Sequence, residues 1–427
     1  MRITKNPPKK DWAELLKRPS QQTKDILEQV KPILEDICEN GDKAIKKYNK
    51  KFDNYTGDIL VSAQEMKEAI KKLDKNLKKA IEQAYKNIYA FHQSQKGDKV
   101  QKINTMEGVT CWRKSLPIEK VGLYIPGGTA PLFSTVLMLG IPAKIADCKE
   151  IILCSPPRNE ELSPAILFAA HLVGINKIYK VGGVQAIGAM AYGTDSIAKV
   201  DKIFGPGNQY VTAAKQYVSQ SCVAIDMPAG PSEVLVWADD TADADFVAAD
   251  LLSQAEHGAD SQVILVSSSE KLVKQVQQAL DAQILQLPRA EIAKKSLKNS
   301  LIILFDNEDN CLEISNFYAP EHLILAVKKA EIFAEKITNA GSVFIGNYSP
   351  ESAGDYASGT NHTLPTNGYA RAYSGVSVDS FIKKVTFQKI TKKGLLNIGE
   401  TIELMAAAEE LEAHKNAVSI RLKKLRK

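Results

Sequence analysis

The stretch Val121-Gly-Leu-Tyr-Ile-Pro-Gly-Gly-Thr-Ala-Pro131 decides the fold of this chain. Its first five residues predict a buried strand, and the Pro-Gly-Gly sequence after them is typical of a turn. The apolar run that follows predicts a helix over Leu132–Ala146. A strand, a glycine-bearing turn and a helix, in this order, indicate the start of a parallel α/β sheet.

The alternation of strand and helix continues beyond this stretch. A first series runs to residue 219, and a second series begins after a turn near Ala229-Gly-Pro231. This alternation predicts doubly wound parallel sheets with right-handed crossovers. The first series has predicted strands Glu150–Cys154 and Lys177–Val181 and helices Pro164–Val173, Gln185–Tyr192 and Gln209–Ser219. The second series has predicted strands Glu233–Trp237, Gln262–Val266, Leu301–Leu304, Leu323–Val327 and Ser342–Ile345.

Helical segments flank the two series. Helices are predicted over Asp25–Tyr48, which Pro32 interrupts, and Ser62–Tyr89, and we expect them to pack on the second series. Near the C-terminus, Gly399–Lys424 predicts one long amphipathic helix. We therefore predict an α/β protein with two Rossmann-like, doubly wound parallel-sheet domains of the incomplete Rossmann type and small helical appendages at both termini. The predicted bounds are 1–20 for an N-terminal helical appendage, 21–123 with 232–378 for a first α/β domain, 124–231 for a second, and 379–427 for a C-terminal tail.

Composition and charge exclude several classes of protein. The chain has 427 residues, of which 44% are hydrophobic and 25% are charged, and its net charge is +5. No basic block alternates with aromatic residues, and no apolar run reaches membrane-spanning length, so we expect neither nucleic-acid nor membrane binding. Met1–Lys10 lacks the apolar core of a secretory signal, and the six cysteines lack metal-type spacing. We expect a cytoplasmic protein with free thiols.

Three glycine-bearing loops follow predicted strands of the first series and lead into helices. Glycine lets the backbone approach a phosphate, and the N-terminus of a helix favours an anion. The dinucleotide pattern G-x-G-x-x-G is absent, so each loop alone is equally consistent with an ordinary turn. The loops are Tyr124-Ile-Pro-Gly-Gly128, Gly182-Gly-Val-Gln185 and Phe204-Gly-Pro-Gly-Asn208.

Polar stretches of the second series carry the candidate chemistry. In a helix over Asp250–Gly258, Gln254 and His257 would share one face and offer an amide oxygen and an imidazole nitrogen to a metal such as zinc. Alone, this stretch is also consistent with a surface helix. Glu321 and His322, just before a predicted strand, could form a general acid–base pair. Such a dipeptide is more often exposed on the surface without a catalytic role.

The remaining histidines divide into two groups. The segment Glu351–His362 is predicted to be a long loop that carries Asp355 and His362, and structureless loops of this length are usually functional or disordered. His414 lies on the predicted C-terminal helix, where a lone histidine is usually just solvated. His92 and His171 lie on ordinary helical stretches, and we interpret both as structural.

Six ordered motifs stand out along the chain: Gly122–Gly128, Val200–Asn208, Asp226–Val234, Asp250–Gly258, Pro320–His322 and Glu351–His362. Six ordered motifs of this length are far beyond chance. Taken together, they resemble the histidinol dehydrogenase family over essentially the whole chain.

The resemblance implies a reaction and a set of site residues. The reaction is the oxidation of L-histidinol to L-histidine through a bound aldehyde, with two NAD⁺ reduced in sequence. The family is homodimeric, with one zinc per subunit, and its C-terminal tail reaches the neighbouring subunit, so the active site would be shared. By resemblance, the zinc ligands are Gln254, His257, Asp355 and His414. The substrate contacts are these four together with Ser232, His322, His362 and Glu409. The acid–base pair is Glu321 and His322, and the NAD contacts are Tyr124, Gln185 and Asn208.

Other functions remain open from the residues alone. A zinc hydrolase could use the same cluster without NAD, although the three glycine-bearing loops argue against it. A two-lobed ligand-binding protein is the second alternative, and such proteins usually carry an export signal. A thiohemiacetal on Cys111 or Cys154 is a rival route, but neither cysteine lies in a polar, activating stretch. Amide and carboxylate ligands also leave Mn²⁺ or Co²⁺ possible.

Overall fold

The computed structural model describes residues 1–19, 23–97, 100–127, 132–228 and 230–427. The chain forms two compact units. Unit 1 contains Met1–Gln95 and Glu119–Phe381, and unit 2 contains Lys96–Ile118 and Ile382–Lys427. Residues 128–131 of the predicted turn, together with Ser20 and Ala229 at predicted domain boundaries, lie outside the described residues.

The strands of the described residues form three sheets. They are β1 (Arg2–Lys5), β2 (Lys102–Met106), β3 (Val109–Pro117), β4 (Lys120–Tyr124), β5 (Glu150–Ser155), β6 (Lys177–Lys180), β7 (Lys202–Phe204), β8 (Ala224–Ile225), β9 (Glu233–Ala238), β10 (Gln262–Ser267), β11 (Leu301–Leu304), β12 (His322–Ala326), β13 (Ser342–Ile345) and β14 (Ile382–Ile390).

The α-helices pack on both faces of the parallel sheets and at the termini. They are α1 (Trp12–Leu15), α2 (Thr23–Asp53), α3 (Ala63–Lys72), α4 (Lys75–Gln93), α5 (Phe133–Ile145), α6 (Pro164–Val173), α7 (Gly183–Tyr192), α8 (Gln209–Ser219), α9 (Ala244–Ala255), α10 (Glu270–Gln283), α11 (Ala290–Lys298), α12 (Glu308–Tyr318), α13 (Ala330–Ala334), α14 (Glu351–Tyr356), α15 (Lys392–Ala408) and α16 (Glu412–Leu425). Within the described part of the chain, none of these helices has both the length and the apolar character that a membrane crossing requires.

Unit 1 contains two parallel sheets with the same winding. The five-stranded sheet has the order β6-β5-β4-β7-β8, and the six-stranded sheet has the order β1-β11-β10-β9-β12-β13. In each, the chain leaves a central strand, β4 or β9, builds two strands on one side, then returns to build two on the other. The predicted fold class, a doubly wound parallel α/β protein, is confirmed. Both sheets belong to one compact unit. The predicted division of the chain into two α/β domains stays a prediction.

The N-terminal segment is not simply the helical appendage predicted for residues 1–20. Arg2–Lys5 is an edge strand that pairs in parallel with Leu301–Leu304. Trp12 and Leu16 follow it and are buried in the core of the six-stranded sheet. The segment is therefore held by backbone pairing and by burial of two large apolar side chains.

The long N-terminal helices pack on the five-stranded sheet, so the predicted packing on the second series is wrong. The apolar face of α2 lies against α7, where a Cβ on Gly188 would come within 3.1 Å of Leu34. The missing side chain lets the two helices approach closely. The break in α2 is at Gly41, whose φ of 50° is left-handed, and not at Pro32, which lies inside the helix.

Unit 2 contains structure that the sequence patterns did not predict. β14, β3 and β2 form an antiparallel sheet, in which Trp112 of β3 stacks on Phe387 of β14 at 5.5 Å between ring centroids. The predicted tail 379–427 therefore contains a strand, and from Ile382 onward it belongs to the same unit as residues 96–118. The predicted single helix over Gly399–Lys424 is also wrong. It is divided between α15 and α16, and Glu410 in the break has a φ of 59°.

Candidate functional site

The backbone of Glu233 holds the predicted acid–base pair. Glu233 begins β9, and Glu321 and His322 lie at the start of the neighbouring strand β12. The backbone N–H of Glu233 donates to Oε2 of Glu321 at 2.9 Å. The carbonyl oxygen of Glu233 lies 3.1 Å from Nδ1 of His322. Both side chains are therefore anchored by a central strand of the sheet, and they do not belong to a surface loop.

Burial sets the charge states of this pair. His322 is 4% exposed, and burial lowers its pKa to about 4. Nε2 of His322 has no hydrogen-bond partner among the described residues, and it lies 3.9 Å from Oδ1 of Asp355. Burial raises the pKa of Glu321 well above its ordinary value, and the nearby Glu233 and Glu351 carboxyl groups raise it further. The site thus presents a neutral imidazole with one free basic nitrogen.

Gln254 lies in the last turn of α9, but His257 lies just beyond the helix. The helix therefore ends before His257, and the N–H of His257 donates to the carbonyl of Gln254 at 3.3 Å in the turn that follows. Gln254 is 1% exposed, and its amide can take two orientations. In one, its nitrogen donates to Oε2 of Glu321 at 3.3 Å. In the other, its nitrogen donates to Oε1 of Glu351 at 2.8 Å and its oxygen accepts from Glu233 N at 3.0 Å.

Asp355 and Glu351 lie on a short helix, α14, where a loop was predicted. One turn apart, they face the same side. One ligand atom each from His257, Glu351 and Asp355 lie within 4.8 Å of one another, a spacing that could hold a metal ion. Glu351 is 1% exposed, and its Oε2 accepts from the Ser253 hydroxyl at 2.9 Å. Sequence reasoning missed Glu351 as a candidate ligand, and only its i, i+4 relation to Asp355 could have indicated it.

His362 connects this cluster to helix α5. Its Nδ1 lies 3.0 Å from the carbonyl oxygen of Asp355, and its Nε2 lies 3.1 Å from the hydroxyl of Thr135 in the first turn of α5. Burial lowers the pKa of His362. His362 therefore links the metal-capable cluster to α5, the helix that follows β4 in the chain.

The other predicted substrate residues fall into two places. Ser232 directly precedes β9 and is half-buried. Glu409 directly follows α15 and His414 lies on α16, so both belong to unit 2, and both are exposed.

The predicted cofactor residues are Tyr124 at the end of β4, Gln185 after β6 and Asn208 after β7. The hydroxyl oxygen of Tyr124 accepts from the N–H of Gly183 at 3.1 Å. Nε2 of Gln185 donates to Oδ2 of Asp53 at 3.2 Å, and Gln185 is buried. The Asn208 side chain caps α8 by accepting from the N–H groups of Tyr210 and Val211. All three residues that were predicted to contact NAD therefore lie at the carboxyl end of the five-stranded sheet.

A buried ion pair holds the loop after β7. Nζ of Lys215 contacts Oδ1 of Asp226 and donates to the carbonyl of Gly205 at 2.8 Å, while the N–H of Gly205 donates to Oδ2 of Asp226 at 2.8 Å. Gly205 has a φ of 131°, and a Cβ there would lie 2.1 Å from the carbonyl oxygen of Tyr124. Only glycine fits this close approach, so the two loops are fixed against each other.

The structure does not favour the rival cysteine route. Cys154 is fully buried on β5, and burial raises its pKa far above the ordinary range of a thiol. A catalytic cysteine acts as a thiolate, and burial in apolar surroundings opposes its formation. Cys111 lies on β3 of unit 2 and is partly buried.

Comparison with known proteins establishes the family. A sequence profile of histidinol dehydrogenase matches residues 16–422. The chain belongs to the histidinol dehydrogenase family. It is 60% identical to the histidinol dehydrogenase of Bacteroides thetaiotaomicron, with 100% of both chains covered. It is 52% identical to the histidine biosynthesis trifunctional protein of Saccharomyces cerevisiae, over 96% of this chain and 52% of that protein. The crystal structure of histidinol dehydrogenase from Elizabethkingia anophelis is similar at a TM-score of 0.97 and 59% identity, covering 100% of this chain and 99% of that one.

Proposed function

We propose that the chain oxidises L-histidinol to L-histidine in two steps through a bound aldehyde, with NAD⁺ as the acceptor in both. One observation carries the proposal. A buried, neutral His322 with a free Nε2 stands beside Glu321 and a metal-capable cluster. Membership of the histidinol dehydrogenase family supports the same reaction.

We assign the metal site to Gln254, His257 and Asp355, with His414 of the partner subunit completing one zinc site per subunit. The donors fit this metal, because zinc takes imidazole nitrogen together with carboxylate or amide oxygen. Glu351 stands close enough to serve as an alternative ligand or to orient the Gln254 amide. When bound, zinc would hold the amino and imidazole nitrogens of the substrate and so fix its carbinol carbon.

The first oxidation needs a base for the hydroxyl proton of the substrate. Nε2 of His322 is unprotonated when Nδ1 donates to Glu233, so it can accept that proton. Ser232, His362 and Glu409 are proposed to contact the substrate.

The second oxidation needs water added to the aldehyde. Glu321 lies beside His322, with Oε2 3.6 Å from Nδ1, and we propose that it removes a proton from that water. The loops that carry Tyr124, Gln185 and Asn208 are proposed to bind NAD, which accepts a hydride in each step.

We also propose a homodimer in which the C-terminal residues of one subunit complete the active site of the other. The family supports this arrangement, and the exposure of Glu409 and His414 is compatible with it. We place the enzyme in the cytoplasm. All six cysteines are free thiols, as expected in a reducing compartment.

The product ratio tests the reaction. Incubation with L-histidinol and NAD⁺ should yield two NADH for each histidine, and an added amine should trap no free aldehyde. A ratio of one with trapped aldehyde would contradict the two-step reaction. Turnover of an ester or amide without NADH formation would instead favour the zinc hydrolase.

Metal content tests the zinc assignment. After extensive dialysis, the wild-type protein should retain one zinc per subunit, whereas Gln254→Ala and Asp355→Ala should lose most of it. Asp281→Asn, an exposed site on α10, is the matched control and should retain the metal. Equal zinc in all four proteins would overturn the ligand assignment.

A further inference from the structure

An acidic side chain that the proposed reaction does not use lies at the carboxyl end of the five-stranded sheet. Asp53 is the last residue of α2, and its Oδ2 accepts from Nε2 of Gln185 at 3.2 Å. Asp53 is partly buried, and burial raises its pKa to about 6. No lysine or arginine of the described ranges forms an ion pair with it.

This position is unfavourable for a carboxylate. The C-terminus of a helix carries a partial negative charge, which repels an acidic group there. Partial burial without a basic partner adds a desolvation cost. Among the described residues, the Gln185 amide is the one hydrogen-bond donor to the Asp53 carboxylate, so the position of Asp53 is better explained by a ligand than by stability.

A second, independent observation points to a ligand at the same place. Oε1 of Gln185 is buried and has no hydrogen-bond partner in the described part of the chain. A Cβ on Gly183, whose φ is 56°, would lie 3.0 Å from that oxygen. Because residue 183 has no side chain, none of its atoms beyond the backbone covers the oxygen. The Tyr124 hydroxyl, which accepts from the N–H of Gly183 at 3.1 Å, lies at the same turn. Carboxylate and amide oxygens thus converge beside an open backbone and suit a ligand with two neighbouring hydroxyl groups.

The sheet order indicates which part of a dinucleotide would lie there. With the order β6-β5-β4-β7-β8, the strands β4, β5 and β6 take the first, second and third places of a doubly wound nucleotide-binding sheet. In such sheets an acid near the second strand binds the adenine ribose. Here β5 ends at Ser155, and the Pro-Pro-Arg158 sequence directly after it contains no acid. Asp53 lies at this edge through its contact with Gln185, which follows β6, and unlike Glu65, which pairs with Lys180, it has no basic partner among the described residues.

We propose that Asp53 accepts hydrogen bonds from the hydroxyls of the adenine ribose and so makes the site selective for NAD over NADP. This inference rests on the proposed NAD-linked function and deepens it. A 2′-phosphate would remove one hydroxyl donor and place a second negative charge against the carboxylate. Selection would therefore combine a lost hydrogen bond with like-charge repulsion.

The test measures dinucleotide binding without substrate. NADH and NADPH are titrated by fluorescence against the full-length wild-type protein, Asp53→Asn, Asp53→Glu and Asp58→Asn. Asp58 is an exposed acid five residues further on and serves as the control. Asp53→Asn should weaken NADH binding and strengthen NADPH binding, so that the ratio of the two dissociation constants changes roughly ten- to a hundredfold. Asp53→Glu keeps the charge and should keep the preference for NADH, and Asp58→Asn should match the wild type.

The outcomes separate this inference from the proposed function. If Asp53 only positions Gln185, Asp53→Asn weakens both dinucleotides equally and leaves their ratio unchanged, which overturns the inference. If the wild-type protein binds neither dinucleotide, the NAD-linked function itself fails. Thermal melting of each variant identifies any that fails to fold, and in that case Asp53→Glu decides. A loss of discrimination with the charge retained would also overturn the inference.

Discussion

His322 lies with Nδ1 3.1 Å from the carbonyl oxygen of Glu233, and this contact determines which nitrogen of the ring is basic. A carbonyl oxygen can only accept, so Nδ1 must carry the proton and Nε2 must have the lone pair. Because burial lowers the pKa of His322 to about 4, the ring stays neutral near pH 7. The buried strand β9 therefore prepares the base before any substrate binds.

Replacement of this base should lower turnover without preventing folding. His322→Gln removes the basic nitrogen, and we expect kcat for histidinol oxidation to fall by about 10²- to 10⁴-fold. His171→Asn, at an exposed position on α6, is the control and should keep wild-type activity. NADH formation under saturating substrate measures the effect. A loss confined to KM would show that His322 only binds substrate.

The two oxidations should respond differently to the loss of Glu321. Glu321→Gln should slow the oxidation of histidinal far more than that of histidinol, because only the aldehyde step needs an activated water. The expected loss in that step is about 10²- to 10⁴-fold. The rates with each substrate are measured separately, with Glu335→Gln as the exposed control. Equal losses in both steps would assign Glu321 to the support of the metal site instead.

The parallel sheets could be predicted because their strands are short apolar runs between turns. β11, Leu-Ile-Ile-Leu, is buried throughout and was predicted with its observed bounds. β1 and β14 have no such signal. Arg2–Lys5 has one apolar residue, and Ile382–Ile390 is largely polar and exposed. Edge and surface strands are fixed by pairing with distant segments, which a local pattern does not show.

Less of the candidate site could be predicted from residue chemistry. Gln254, His257, Glu321 and His322 lie in recognisable polar stretches, but their convergence depends on the pairing of β9 with β12. Glu351 was missed because the glycine and small residues after it favoured a loop. In the structure, Gly354 lies inside α14, where a Cβ would come within 2.8 Å of Phe344. That glycine thus serves helix packing and not a turn.

The stability of the metal-free protein should depend on Asp250. Burial raises the pKa of this α9 carboxyl to about 7, from an ordinary value near 4. The folded protein therefore holds this proton more tightly than the unfolded chain, and stability is lost as the pH rises from about 4 through about 7. Asp250→Asn resembles the protonated acid, so it should raise the melting temperature by several degrees at pH 8 and by little at pH 5.

Calorimetry of the metal-free variant and wild type at both pH values checks this prediction. Metal must be removed, because a cation in the neighbouring cluster would favour the charged carboxylate. Asp281→Asn, at an exposed position on α10, should show no pH-dependent gain. The same gain at pH 5 and pH 8 would show that Asp250 is not protonated preferentially in the folded state.

The proposed sharing of His414 between subunits can be tested with two inactive variants. Glu321→Gln and His414→Ala are unfolded and refolded together, so that about half of the dimers contain one subunit of each kind. If His414 acts in the partner subunit, each mixed dimer has one site with both residues intact and one site lacking both. Activity should then return to about a quarter of the wild-type value.

The alternative arrangement gives a different result in the same experiment. If His414 acts within its own subunit, every site in every dimer lacks one of the two residues, and activity stays near that of the separate variants. Refolding of each variant alone is the control for spontaneous recovery, and refolded wild-type protein sets the full value. The zinc content of the Glu321→Gln protein alone, measured before mixing, reports metal binding separately from subunit sharing. Activity near background, with zinc retained, would refute the shared site and leave the ligand assignment of Gln254, His257 and Asp355 in place.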